Sequence, residues 1–159
     1  MPDSEIKKQA LMTSLRILAA APKSRSQLAG RLCEKGYPAP VIRETLDQLE
    51  DQKLLNDARL AKDLTERFRV MKPSGKRRIS FELKKRGIPQ KIQNEVLEEI
   101  DEVSELETAR ELAASRWSRH SKDAGREKKK KVYDFLIRRG FDFQIARSAV
   151  EQVANEEQE

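Results

Sequence analysis

The stretch LKKRG at residues 83–87 decides how this chain is to be read. It has two echoes, LCEKG at 32–36 and LIRRG at 136–140. Their glycines, Gly36, Gly87 and Gly140, stand about fifty residues apart, a spacing that points to a repeat architecture. The apolar residues around each glycine coincide. Eight positions before it stand Leu28, Ile79 and Val132, and four before it Leu32, Leu83 and Leu136. One after it come Tyr37, Ile88 and Phe141, and five after it Val41, Ile92 and Ile145. Leu46, Leu97 and Val150 follow at ten, and Leu49, Ile100 and Val153 at thirteen.

Each copy has a simple physical content. The residues eight and four before the glycine form one stripe of a helix. Glycine after a basic last turn suits a helix C-terminus, where a left-handed residue is needed and cations face the negative end of the dipole. The residues at five, ten and thirteen mark the inner face of a second helix. Pro38, Pro40 and Pro89 sit at or before its start, where proline is tolerated.

A further helix precedes each copy. Its stripe is Leu11, Leu15 and Leu18 in the first, and Leu60, Leu64 and Phe68 in the second. In the third it is Leu106, Ala109, Ala113 and Trp117. Asn56 or Asp57 is positioned to cap the second of these helices, and Ser104 with Glu107 makes a capping-box pattern for the third. The expected fold is therefore all-α, an elongated tandem array of three three-helix, helix-turn-helix-like units. The boundaries expected are 1–52, 53–103 and 104–159, the last ending in an acidic tail. Breaks inside the units fall at PKS (22–24), KPSGK (72–76) and a long polar SKDAGREK (121–128).

Composition agrees with a thin helical protein. Charged residues make up 38% and hydrophobic residues 37%, and six Gly and six Pro are too few for a turn-rich all-β fold. The net charge of +6 favours polyanionic partners such as nucleic acid, or acidic protein surfaces. The single cysteine, Cys33, allows no intramolecular disulfide and suits a reducing compartment. With no apolar leader and no span of about twenty apolar residues, a cytoplasmic protein without membrane association is expected.

The repeat separates scaffold from surface. Positions ten, nine, three and two before each glycine lie away from the apolar stripe. The first unit places Ser26, Gln27, Cys33 and Glu34 there, the second Arg77, Arg78, Lys84 and Lys85, and the third Lys130, Lys131, Ile137 and Arg138. Because the first unit folds without this charge, the basic faces of the other two are candidates for binding a polyanion. Phe81, between Arg77 and Lys85, could stack on a base but more often such a ring packs on a neighbouring unit. The lysine run at 128–131 is a further phosphate-contact candidate. An acidic cluster at 95–107 lies between the second and third units.

Catalytic patterns are missing. The only histidine, His120, makes no metal pattern with Cys33, and neither a Gly-rich phosphate loop nor a Ser–His–Asp arrangement can be traced. No enzyme activity, cofactor or metal is expected.

At several stretches the sequence resembles the RecX family of recombinase regulators. SRSQLAGRLCEKGY (24–37) is similar to that family's first-unit pattern, and KLLNDARLAKDL (53–64) resembles its Gly-Leu-Leu-Asp-Asp-x-Arg-Phe-Ala signature. GKRRISFELKKRGI (75–88) resembles Gly-x-x-Arg-Ile-x-x-Glu-Leu-x-x-Lys-Gly-Ile, and KVYDFLIRRGFDFQIA (131–146) resembles the closing motif. Lys53, Asn56 and Leu60 depart from the second signature, where the family has Gly, Asp and Phe. The resemblance implies a modulator that binds RecA recombinase filaments on DNA and limits strand exchange, ATP hydrolysis and co-protease activity, and a monomer is expected. It places the chain in DNA recombination, repair and the SOS response, with weaker affinity for single- or double-stranded DNA alone. Asp57, Arg59, Arg78, Ile79, Glu82, Leu83, Arg86, Gly87, Arg139 and Gly140 carry over with the motifs. Arg59, Arg78, Arg86 and Arg139 join Arg77, Lys84, Lys85, Lys130, Lys131 and Arg138 as candidate RecA or DNA contacts. Two other readings remain: a helix-turn-helix transcriptional regulator, and a helical protein scaffold that never touches nucleic acid. Against the first, the would-be reading helix of the first unit is near neutral and no wing strands follow.

Overall fold

A computed structural model describes residues 2–158. Among the described residues the chain is all-helical, with nine helices and no strand. The first unit holds α1 (Asp3–Ala20), α2 (Arg25–Glu34) and α3 (Ala39–Asp51). The second holds α4 (Asp57–Val70), α5 (Lys76–Lys85) and α6 (Gln90–Glu98). The third holds α7 (Glu102–Arg119), α8 (Gly125–Arg138) and α9 (Phe143–Gln158).

The repeated glycines close the middle helix of each unit in the same way. Gly36, Gly87 and Gly140 have φ of 89°, 75° and 92°. Each glycine N–H reaches the carbonyl three residues back (Cys33, Lys84, Ile137) at 2.9–3.0 Å. The next residue's N–H reaches five back (Leu32, Leu83, Leu136) at 3.1–3.2 Å. This is the double bond of a Schellman cap, and it needs a left-handed residue at its centre. A fourth cap of this kind ends α3, with Lys53 N–H on the Glu50 carbonyl and Leu54 N–H on the Leu49 carbonyl, both at 2.9 Å. Its central residue is Lys53, at φ 62°, the position where the resembling signature has glycine. A β-carbon there costs about 1–2 kcal/mol, so this chain tolerates a strained turn between its first and second units.

Helix starts differ in detail from the sequence expectation. The full capping box is in α2, where Ser24 Oγ accepts from Gln27 N–H and Gln27 accepts from Ser24 N–H. Asn56 caps α4 through Arg59 N–H at 3.1 Å. For α7 the cap is Asp101, which accepts from Ser104 N–H at 2.6 Å, so Ser104 lies inside the helix. The stripe of α1 is also rotated: Ala10, Ser14 and Ile17 are buried while Leu15 is exposed. The polar break before α8 is short, because the helix already begins at Gly125.

The chain divides into two compact units of contacts. One comprises Met1–Asp63 with Leu83–Gln93, the other Leu64–Glu82 with Asn94–Glu159, so each contains part of α4, α5 and α6. The first has a core of Ile17, Leu28, Leu32, Ile42, Leu46, Leu49 and Leu55. The second has a core around Ala109, Ala113, Trp117, Val132, Leu136, Phe141, Ile145 and Val150, with α7 and α8 both packed on α9. Stripe residues at every repeat-equivalent position compared above, apart from half-buried Tyr37, Ile92 and Leu97, are buried.

The same join is built in both units. In the first, Arg25 N–H at the start of α2 donates to Asp57 Oδ1 of α4 at 2.8 Å, and Ser24 Oγ donates to the Arg86 carbonyl beside Gly87. In the second, Lys76 N–H at the start of α5 donates to Glu105 Oε1 of α7 at 3.1 Å. Gly75 N–H donates to the Arg139 carbonyl at 2.8 Å, and Arg77 N–H to the Gly140 carbonyl at 3.0 Å. Thus in each case a carboxylate from the following repeat pairs the first amide of a helix, while the following glycine turn accepts from the Ser24 hydroxyl in one and from the Gly75 and Arg77 amides in the other. Burial raises both carboxyl pKa values above their ordinary range, opposed by the amides they accept from.

Packing at the turns is close enough to exclude a side chain. A β-carbon on Gly140 would overlap the Arg78 Cβ and backbone nitrogen, whereas one on Gly36 would meet nothing within 4 Å. Gly36→Ala is therefore expected to lose only the left-handed penalty of about 1–2 kcal/mol. Gly140→Ala adds overpacking of a further ~1–3 kcal/mol. Urea denaturation of the two variants tests this; equal losses would contradict the tight turn.

Candidate nucleic-acid interface

The outer face of α5 is open. Arg77, Lys84 and Lys85 are exposed, and so is Phe81, at 60%. Phe81 is thus not buried, contrary to the commoner expectation for such a ring. Arg77 and Phe81 are one helical turn apart and share a face. The equivalent positions of α2, Ser26, Cys33 and Glu34, are also exposed, so the first unit shows a neutral-to-acidic face where the second shows cations. Arg59 is exposed in the first turn of α4, beside a small cavity of about 260 Å³ that Lys23, Lys53 and Leu54 also line.

Five sequence candidates are more committed than the helical wheel implied. Arg78 is half-buried, and its guanidinium approaches Glu82 Oε1 at 3.5 Å. Arg86 is half-buried, and its carbonyl serves the join to Ser24. Arg139 is half-buried and donates through Nη2 to the Pro73 carbonyl. Lys131, though exposed, contacts Asp123 at 3.0 Å and Glu127 at 4.0 Å. Lys130 pairs with Asp134 of the next turn at 3.1 Å, and Arg138 is exposed. The basic face of the third unit is therefore partly neutralised by carboxylates of α8 and the turn before it, while that of α5 carries its cations outward.

The lysine run contains one residue with a different role. Lys128 is buried, with its ammonium 4.4 Å from the centre of the Trp117 ring and 3.2 Å from Glu157 Oε1. Trp117 Nε1–H donates to the other oxygen of Glu157 at 2.7 Å. Together these contacts fasten the end of α9 to α7 and α8. Lys128 stands twelve residues before Gly140, one helical turn from the stripe residue Val132, and this spacing was the available signal of its burial.

Sequence comparison of the repeated helices missed Arg116, because it lies on α7, outside the compared segment. Its guanidinium sits 4.4 Å over the Phe135 ring, and that of Arg139 lies 5.7 Å from the same ring. Burial, then the charges of Arg78 and Arg116, lower the pKa of Arg139 below its ordinary value. Among the described residues no three His, Cys, Asp or Glu side chains gather to hold a metal, and no helix is long and apolar enough to cross a membrane.

These features define a tandem three-helix-repeat protein with exposed cations on its second and third units. Three family descriptions match it in order: the RecX first three-helix domain over residues 10–49, the second over 56–97 and the third over 103–150. The regulatory protein RecX of Chlorobium limicola is 34% identical over 146 residues, which is 91% of this chain and 89% of that protein. The regulatory protein RecX of Chlorobaculum tepidum is 33% identical over 155 residues, 98% of this chain and 94% of that one. The crystal structure of RecX from Lactobacillus salivarius shares the fold, with a TM-score of 0.88 at 22% identity over 94% of this chain and 97% of that one. The chain belongs to the RecX family.

The fastening at Trp117 gives a titration. Hydrogen bonds from Trp117 and then Lys128 lower the Glu157 pKa below the ordinary glutamate range. Its stabilising effect is thus present above the ordinary glutamate pKa and lost as pH falls through the depressed one. Trp117 is the only tryptophan, so its emission is expected to change with a midpoint below the ordinary glutamate value. Glu157→Gln should abolish that step. A midpoint at or above the ordinary value would contradict the contact.

Proposed function

We propose that this chain is a non-enzymatic cytoplasmic regulator that acts as a monomer on RecA recombinase filaments on DNA. It lies in or caps the filament and limits strand exchange, ATP hydrolysis and co-protease activity. Family membership supports the regulatory class. The observation that carries the reading further is the contrast between equivalent helix faces. α5 exposes Arg77, Lys84 and Lys85 where α2 exposes Ser26, Cys33 and Glu34. A scaffold that repeats faithfully has no need of that charge, and exposed like charges on one short helix repel one another. A polyanionic surface, DNA or an acidic strip of the recombinase, removes the repulsion and releases counterions.

The test is RecA on single-stranded DNA with ATP, followed by hydrolysis. Near-stoichiometric wild type is expected to suppress it. Reversing Arg77, Lys84 and Lys85 to Glu is expected to raise the half-inhibitory concentration about tenfold or more, since rim charges govern association. Undiminished hydrolysis with wild type would contradict the reading. Equal inhibition by the reversed variant would leave a protein scaffold that does not use this face.

A further inference from the structure

Three arginines from three helices converge beside the turn that joins α8 to α9. Arg78 comes from α5, Arg116 from α7 and Arg139 from the end of α8. Backbone bonds hold two of them in place. Gly75 N–H is on the Arg139 carbonyl at 2.8 Å, Arg77 N–H is on the Gly140 carbonyl at 3.0 Å, and Gly140 lies against Arg78 too closely for a β-carbon. Arg116 and Arg139 both stack on Phe135. Among the described residues Arg78 is the one of the three shown paired with a carboxylate, Glu82 at 3.5 Å, a loose pairing for a guanidinium. The Nε atoms of Arg78 and Arg139 are buried without a hydrogen-bond partner. Three guanidinium groups with one carboxylate leave a surplus of positive charge in a half-buried place, where nearby like charges repel strongly. Such a cluster is relieved by an anion with several oxygens.

What lies next to the cluster indicates which anion. Phe81 is three residues beyond Arg78 on α5, so the two are neighbours on the helix, and its ring is 60% exposed. An acidic peptide offers carboxylates but has no use for an open ring face. A single strand of nucleic acid offers phosphates and bases alternately, and its bases are free to stack.

We propose that Arg78, Arg116 and Arg139 bind a backbone phosphate of single-stranded DNA while Phe81 stacks on an adjacent base. This rests on the reading that the protein works on DNA, and it assigns the contact to the α5–α7–α8 cluster in addition to the open lysine face.

The test is binding of a fluorescein-labelled oligothymidylate across a salt series, without recombinase. Arg116→Gln is expected to reduce the slope of log affinity against log salt by about 0.7, the loss of one single-strand phosphate contact. Arg116→Lys, which keeps the charge and controls for folding, is expected to keep the slope. Phe81→Ala, at an exposed position, is expected to weaken binding about tenfold at an unchanged slope. Lys84→Gln with Lys85→Gln reports the open face separately. Binding by wild type with no slope change in Arg116→Gln, or no loss in Phe81→Ala, overturns this site and leaves the wider reading standing. Failure of wild type to bind at low salt overturns the site and counts against direct DNA contact by the lone protein. Poly-glutamate binding as tightly as the oligonucleotide, and equally to Phe81→Ala, would assign the cluster to an acidic protein surface instead.

Discussion

A helix begins with N–H groups that have no partner inside it, and a tandem array of short helices multiplies that cost. Here the following repeat supplies partners. Asp57 accepts from the first amide of α2, and Glu105 accepts from the first amide of α5. The carbonyls of Arg86, Arg139 and Gly140, at the glycine turns, accept from Ser24, Gly75 and Arg77. One rule thus operates twice, once in each compact unit of the chain. It explains why Gly87 and Gly140, which take part in the joins, must be small as well as left-handed. Gly87 lies where a β-carbon would come 2.7 Å from Ser26 Cβ, and Gly140 is tighter still.

The join also explains how charge is allocated. Carboxylates that cap the preceding repeat are drawn inward, and burial pushes their pKa values up. Arginines beside the turns are drawn inward with them: Arg86 and Arg139 give their carbonyls to the join, and Arg78 lies under Gly140. Arg77, Lys84 and Lys85 take no part in it and remain exposed. Position relative to the glycine therefore divides the basic residues of α5 into those held against the turns and those left on its open face.

Much of the fold was legible because the repeat states the scaffold three times. Apolar positions that recur around the glycines are the buried ones, and the left-handed turns follow from glycine chemistry. Legibility failed where a feature occurs once or depends on distant chain. The stripe of α1 uses Ala10 and Ser14, small residues whose burial no hydrophobic pattern announces; Ser14 is satisfied by the Ala10 carbonyl at 2.8 Å. Lys128 was read as part of a phosphate-contact run, yet the Trp117 ring and a carboxylate 29 residues onward in the chain make its burial tolerable. Arg116 was invisible because its neighbours come from other helices. At the candidate site the open lysines could be read from the wheel, whereas the difference between Arg77 and Arg78 needed the glycine turn to be placed on α5.

The central claim is that each following repeat pairs the opening amides of the helix before it. Native-state hydrogen exchange at single amides tests it most directly. The amides of Arg25, Gly75, Lys76 and Arg77 should be protected, unlike ordinary first-turn amides. Those of Arg126 and Glu127 in α8, whose start has no side-chain cap, should exchange fast and serve as the internal reference. If the first four exchange as quickly as these two, the joins are not formed in solution and the account fails.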